Sequence, residues 1–222
     1  MDPRLQSVLL AIHIAAGAVG LASGLFSMAS RKGARVHRLA GRVFFVSMLI
    51  MAGAGAIIAP FRESGRWTNT IAGVFTFYLV ATAWVAARRR PGQVGRFEAV
   101  ALAAPVGILA AALWIAIGIG GSQIANIFAA VALIAGICDV RMIRAGGLTP
   151  NGRVARHLWR MGVAFTVSVM AFFVGQQEYL PRIIQGTAVV GIPALAALGA
   201  TLFWLAQRTW PKRRRIAAAV AA

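Results

Sequence analysis

Long apolar runs separated by short bursts of arginine leave this chain few ways to fold. A helix crossing the hydrocarbon of a bilayer needs about 20 apolar residues, and there it must satisfy its own backbone polar groups. Runs near that length recur at residues 5–29, 43–61, 69–87, 98–120, 123–140, 155–176 and 183–207. No segment between them is long enough for a soluble domain. The expected fold is all-α: a polytopic membrane helix bundle of seven transmembrane helices, forming one integral domain over residues 1–222. Composition agrees, with 59% hydrophobic and only 13% charged residues, about half the charged share of a soluble domain. A soluble enzyme and a disordered chain are excluded. The single cysteine, Cys138, excludes an intrachain disulfide.

The net charge of +18 would suggest nucleic acid in a soluble protein. Here the basic residues fall between apolar runs, as membrane topology requires, so no nucleic-acid partner is expected. Arg31, Lys32, Arg35, Arg38 and Arg42 follow the first run, and Arg88, Arg89, Arg90 and Arg96 the third. Arg141, Arg144, Arg153, Arg156 and Arg160 follow the fifth, and Arg208, Lys212, Arg213, Arg214 and Arg215 the last. Only Arg4, Arg62, Arg66 and Arg182 fall on the other side. The positive-inside rule then places the N-terminus outside and the C-terminus in the cytoplasm, in the inner (plasma) membrane. Ser27-Met28-Ala29 offers the small residues of a signal cleavage site. The run before it is too long for a signal core, however, and its positive charges follow rather than precede it, so it reads as a retained span. Trp67, Trp84, Trp159, Trp204 and Trp210 lie near run ends, as an aromatic belt would; Trp114 is less clearly interfacial.

Gly17, Gly20, Gly24 and Ser27 follow His13 at helical spacing and form one stripe of small residues. Such stripes let helices approach closely in lipid, within the chain or in a homo- or hetero-oligomer; a permeation path is the sharper alternative. Gly53 and Gly55 do the same less regularly. The second and sixth runs both enter through a His beside an Arg-xxx-Arg pair, a weak internal echo.

Three stretches, His13-xxx-Gly17, Arg31-Lys32-Gly33 and His37-Arg38-Leu39-Ala40-Gly41-Arg42, resemble the start of a bacterial membrane-protein family, domain of unknown function 2306. Arg156-His157-Leu158-Trp159-Arg160-Met161 resembles that family's later His/Arg segment, departing from a pattern that places Trp-Met before the Arg. The resemblance implies a polytopic membrane protein and no particular activity.

Ionisable groups inside a bilayer are costly and point to function. His13 lies eight residues into its run, ~12 Å along the axis. With Gly17 beside it and Gln176 at the outer end of the sixth run, it is a candidate site for a small or lipid-like ligand. The alternative is a neutral imidazole bonded to a carbonyl or to a polar group such as Thr76, Ser168 or Gln176. His37 and His157 stand at the cytoplasmic edge among Arg38, Arg42, Arg156 and Arg160. One reading is a hydrated interface whose arginines bind the phosphates of anionic lipid headgroups. The other makes the two histidines axial ligands of one b-type haem, too far from His13 for the latter to share the iron. Glu98 and Asp139 read either as ion-pair partners of nearby arginines, Arg42 and Arg160 among them, or, for Asp139, as a proton relay. Pro105 and Pro193 predict bends or a gate.

No nucleophile elbow, Walker loop or His-Glu-xx-His is present, so no catalytic residue or metal ligand is assigned. Retinal is excluded because the only lysines, Lys32 and Lys212, lie in charged segments. No resident cofactor is expected unless the haem reading holds. The leading expectation is a membrane binding or transport module. Its rivals are an accessory subunit of a membrane complex and a haem or quinone redox protein.

Overall fold

The computed structural model describes residues 1–118 and 120–220. Helices dominate, and no strand occurs among the described residues. They are α1 (Pro3–Ala29), α2 (Arg35–Ile58), α3 (Arg66–Arg88), α4 (Arg96–Ala101), α5 (Ala103–Gly118), α6 (Gln123–Arg144), α7 (Pro150–Phe173) and α8 (Ile192–Val220). The side chains of Trp210 and of the basic tail from Lys212 to Arg215 lie outside the described residues. Among the described residues six segments are long and apolar enough to cross a membrane: α1, α2 with its short extension to Phe61, α3, α4 with α5, α6, and Ala188–Arg208. α7 has the length, but Arg153, Arg156, His157 and Arg160 crowd its first three turns.

Helix ends depart from the apolar runs where local chemistry overrides hydropathy. α2 begins at Arg35 rather than 43, because the charged turns that hydropathy omits still form helix; Gly33, at φ 82°, makes the reversal before it. α7 begins at Pro150, with the Thr149 hydroxyl accepting from the Gly152 N–H at 3.1 Å. It ends at Phe173, which leaves Gln176 in a turn. The expected fourth span is two helices. Pro105 has no N–H for the Ala101 carbonyl and crowds it, and the break falls at Leu102. Pro193 bends nothing, since it occupies the first turn of α8, where a missing N–H is harmless. The last span therefore starts about one turn-rich segment later than 183. There Gln185 donates to the Glu178 and Leu180 carbonyls, and Gly186 N–H donates to the Gln177 side chain. Gly120 and Gly121, both at φ 86°, close the tight connection from α5 to α6.

α3 is the central element and touches α2, α5, α6 and α7. It buries Ile71, Phe75, Tyr78, Leu79, Val80 and Ala83. Helices α1, α2, α3 and α7 close a ring, α5 and α6 pair on the far side of α3, and α8 packs on α7. The small stripe of α1 is used inside the chain. Gly17 faces Met51, Gly20 faces Met48, and a Cβ on Gly24 would fall 2.6 Å from Phe165 and 2.9 Å from Phe44. Large apolar side chains remain on the outer faces, among them Val100, Ile117, Leu195 and Phe26, a surface suited to lipid rather than water.

Candidate functional site

Four basic residues climb α7 at helical spacing, and α3 receives them. Arg153 donates to the Ala86 and Ala87 carbonyls at 3.0 and 2.9 Å, using acceptors left free at the end of α3. His157 Nδ1 donates to the Ala83 carbonyl at 3.1 Å. Arg160 donates to the Thr82 hydroxyl, to the Tyr78 hydroxyl at 3.2 Å and to the Ala135 carbonyl at 3.2 Å. From α6, Asp139 accepts from both Arg156 and Arg160 and from the Tyr78 hydroxyl at 2.7 Å. Asp139 and Arg160 are each 0% exposed and Arg156 6%. One carboxylate thus faces two guanidiniums, leaving a surplus positive charge inside the bundle, and Arg160 Nε has no hydrogen-bond partner among the described residues.

Below this core, Glu98 at the start of α4 ties down the connection from α3. Its carboxylate accepts from Arg89 Nε and Nη2 at 2.9 and 2.8 Å and from the Gly95 N–H at 2.8 Å. A cavity of about 10 Å³, room for one water, lies between this pair and Arg156, lined also by Arg90, Gln93 and Arg153. Beside it an open groove of about 470 Å³ is lined by Trp84, Val85, Arg88, Arg89, Arg90 and Gln93. Phe45 stacks on Trp84 with centroids 4.1 Å apart, and the Arg88 guanidinium lies 4.4 Å from the same indole. These contacts bring the first turns of α2 alongside the groove.

The residues expected to form a ligand site are not brought together. His13 Nδ1 donates to the Met51 carbonyl at 2.7 Å, not to Thr76, Ser168 or Gln176, and its ring fills the space beside Gly55. Gly17 packs on Met51, and Gln176 is exposed beyond α7. The lipid-phosphate set divides. Arg38 and Arg42 are exposed one turn apart on α2, with Arg38 also donating to the Gly33 carbonyl. Arg156 and Arg160 are withdrawn from any headgroup, because Asp139 and the α3 hydroxyls offer charge and hydrogen bonds within the bundle. Asp139 does meet Arg160, whereas Glu98 meets Arg89 rather than Arg42. His37 Nδ1 lies 3.0 Å from the Ser27 carbonyl oxygen and 3.1 Å from its hydroxyl. Lys32, between α1 and α2, donates to helix-end carbonyls and stacks 4.7 Å from the Trp204 ring; burial holds its amine below the usual lysine range. Trp114 meets Trp67 edge to face at 5.2 Å, pairing the end of α5 with the start of α3. Sequence reasoning did not join Tyr78, Thr82, Trp84, Arg88, Arg89, Arg90, Gln93 or Arg153 to the site.

Residues 10–138 match a family described as predicted membrane protein, DUF2306. The chain belongs to this family. The match begins at Leu10 within α1, takes in α2 to α5 and most of α6, and stops one residue before Asp139. The arginines of α7, and the 156–161 segment with its own resemblance, lie beyond it. No curated protein and no solved structure matches the chain. As a DUF2306 protein with six segments apolar enough to cross a bilayer, it is a multi-pass membrane protein.

Proposed function

We propose that this DUF2306 protein is a seven-span plasma-membrane module, N-terminus outside and C-terminus cytoplasmic, that binds an anionic lipid-like ligand at its arginine-lined cytoplasmic groove. The groove of Trp84, Arg88, Arg89, Arg90 and Gln93 carries the reading. It shares Arg89, Arg90 and Gln93 with the small cavity under Arg156, so surface and buried arginines form one cationic tract. Glu98 neutralises Arg89 and Asp139 neutralises one of two guanidiniums, which leaves Arg88 and Arg90 for a headgroup phosphate. Trp84 supplies the interfacial aromatic surface on which the glycerol and upper acyl region can rest. Arg38 and Arg42 extend the phosphate-facing rim along α2. A transport step would use the same tract as its cytoplasmic mouth.

The test is lipid retention. Protein purified in mild detergent is exchanged into phosphatidylglycerol and examined by native mass spectrometry. Each arginine near an anionic headgroup contributes about 1 kcal/mol, so Arg88→Ala with Arg90→Ala should lower retention by roughly tenfold or more. Equal retention in wild type and double variant would end the reading.

A further inference from the structure

The positive charge that Asp139 leaves unbalanced has no counterpart in the chain. The whole sequence holds 5 carboxylate side chains. Asp2, Glu63 and Glu178 are exposed and lie at the far ends of α1, α2 and α7 from the arginine-rich turns. Glu98 is spent on Arg89 and the Gly95 N–H, through both of its oxygens. Asp139 is shared between Arg156 and Arg160, which are 6% and 0% exposed. One of these two buried guanidinium charges therefore lacks an anion, and a buried charge without one is strongly disfavoured.

Arg156 marks where that anion belongs. It uses Nη1 on Asp139, while its Nε and Nη2 have no hydrogen-bond partner among the described residues. Neighbours seal Arg160 Nε but not these two atoms. Arg156 lines the cavity of about 10 Å³ together with Arg89, Arg90, Arg153, Gln93 and Glu98. Glu98 is the one acid on that wall, and Arg89 cancels it. Arg153 bonds only to carbonyls, which carry no net charge.

Size selects the anion. The cavity holds one particle about as large as a water molecule. Water satisfies open donors but leaves the charge standing. A halide ion is close to that size and accepts from several guanidinium N–H groups at once. Phosphate, sulfate and carboxylate groups bring several heavy atoms and do not fit. We propose that this cavity is a site for one monatomic anion, chloride, with Arg156 as its main donor, and that the ion completes the charge balance of the Asp139–Arg156–Arg160 core. Neither Trp84 nor Arg88 lines the cavity, so the site stands whether or not lipid binds in the groove.

Equilibrium dialysis of full-length protein in detergent against radiolabelled chloride, with gluconate holding the ionic strength constant, tests this. The expected result is saturable binding of one chloride per chain, with a melting temperature that rises with chloride until the site is full. Bromide should displace the label and sulfate should not. Arg156→Gln leaves Asp139 and Arg160 balanced one to one. It should fold, be at least as stable as wild type in gluconate, bind chloride roughly tenfold or more weakly and gain no stability from it. Arg88→Gln, which alters the groove alone, should change chloride affinity by less than about twofold. If Arg156→Gln fails to fold, Arg90→Gln is read instead, since Arg90 is exposed and has no ion pair among the described residues. It should weaken chloride binding by roughly threefold or more. No saturable binding in the wild type overturns the proposal. So does binding that the cavity variants leave unchanged, which would place chloride on the outer arginines, and so does displacement by sulfate, which would mean an open phosphate site.

Discussion

Asp139 holds two guanidiniums, and its charge balances one of them. Removing it strands both in a bundle where water is scarce. Breaking a buried pair in this way costs about 3–5 kcal/mol, so Asp139→Asn should lower stability in detergent by that order, read by chemical denaturation. Stability equal to wild type would mean that the arginines are hydrated and the core is open. Tyr78→Phe removes one hydroxyl that donates to Asp139 and accepts from Arg160, and should cost about 1–3 kcal/mol, less than the loss of the carboxylate. The pairing of Asp139 with Arg160 was legible in the sequence because charges in apolar spans need partners. Thr82 was not. Thr70, Thr166, Thr187 and Thr201 each donate to their own backbone three or four residues back. Thr82 does the same and then also accepts from a charge on another helix. Nothing local in the sequence separates it from the others.

Helix approach is governed by which atoms a glycine leaves room for. A Cβ on Gly73 would lie 2.9 Å from Ala56 N and 3.0 Å from Ala52 O, both backbone atoms of α2. A Cβ on Gly20 would meet the tip of Met48 at 3.1 Å, and that flexible side chain can move aside. Gly73→Ala should therefore cost about 1–3 kcal/mol, while Gly20→Ala should stay below ~1 kcal/mol. Thermal unfolding of both variants in one detergent decides it, and a larger loss for Gly20→Ala would contradict the α2–α3 contact. The α1 stripe showed in the sequence because its members repeat at three and four residues. Gly73 stands alone in its helix, so its role depends on a neighbour that only the fold supplies. The broken fourth span was foreshadowed by Pro105, whereas the starts of α2 and α7 were hidden by charges that hydropathy counts against a helix.

At the scale of the whole molecule, the arginines gather at one end and the Trp67–Trp114 pair stands at the other. Gly92 N–H donates to the Leu148 carbonyl at 3.1 Å, so the loops after α3 and before α7 meet on one side. The span count then turns on α7, the one long helix too charged to qualify on hydropathy. Its charges carry their own compensation. Arg153 and His157 are satisfied by α3 carbonyls, and Arg156 and Arg160 by Asp139, so the helix need not present bare charge to hydrocarbon. On the proposed topology, insertion of α7 with these groups hydrogen-bonded inside the bundle gives seven crossings and reverses the side of everything after it. Single cysteines in a Cys138→Ala background measure this with a membrane-impermeant maleimide. Ser64→Cys and Glu178→Cys, both at exposed positions, should label in intact cells. Asn151→Cys, also exposed, should label only after permeabilisation. If α7 lay along the cytoplasmic face instead, Glu178→Cys would be protected like Asn151→Cys, the count would fall to six, and the C-terminal tail would emerge outside against its own arginines.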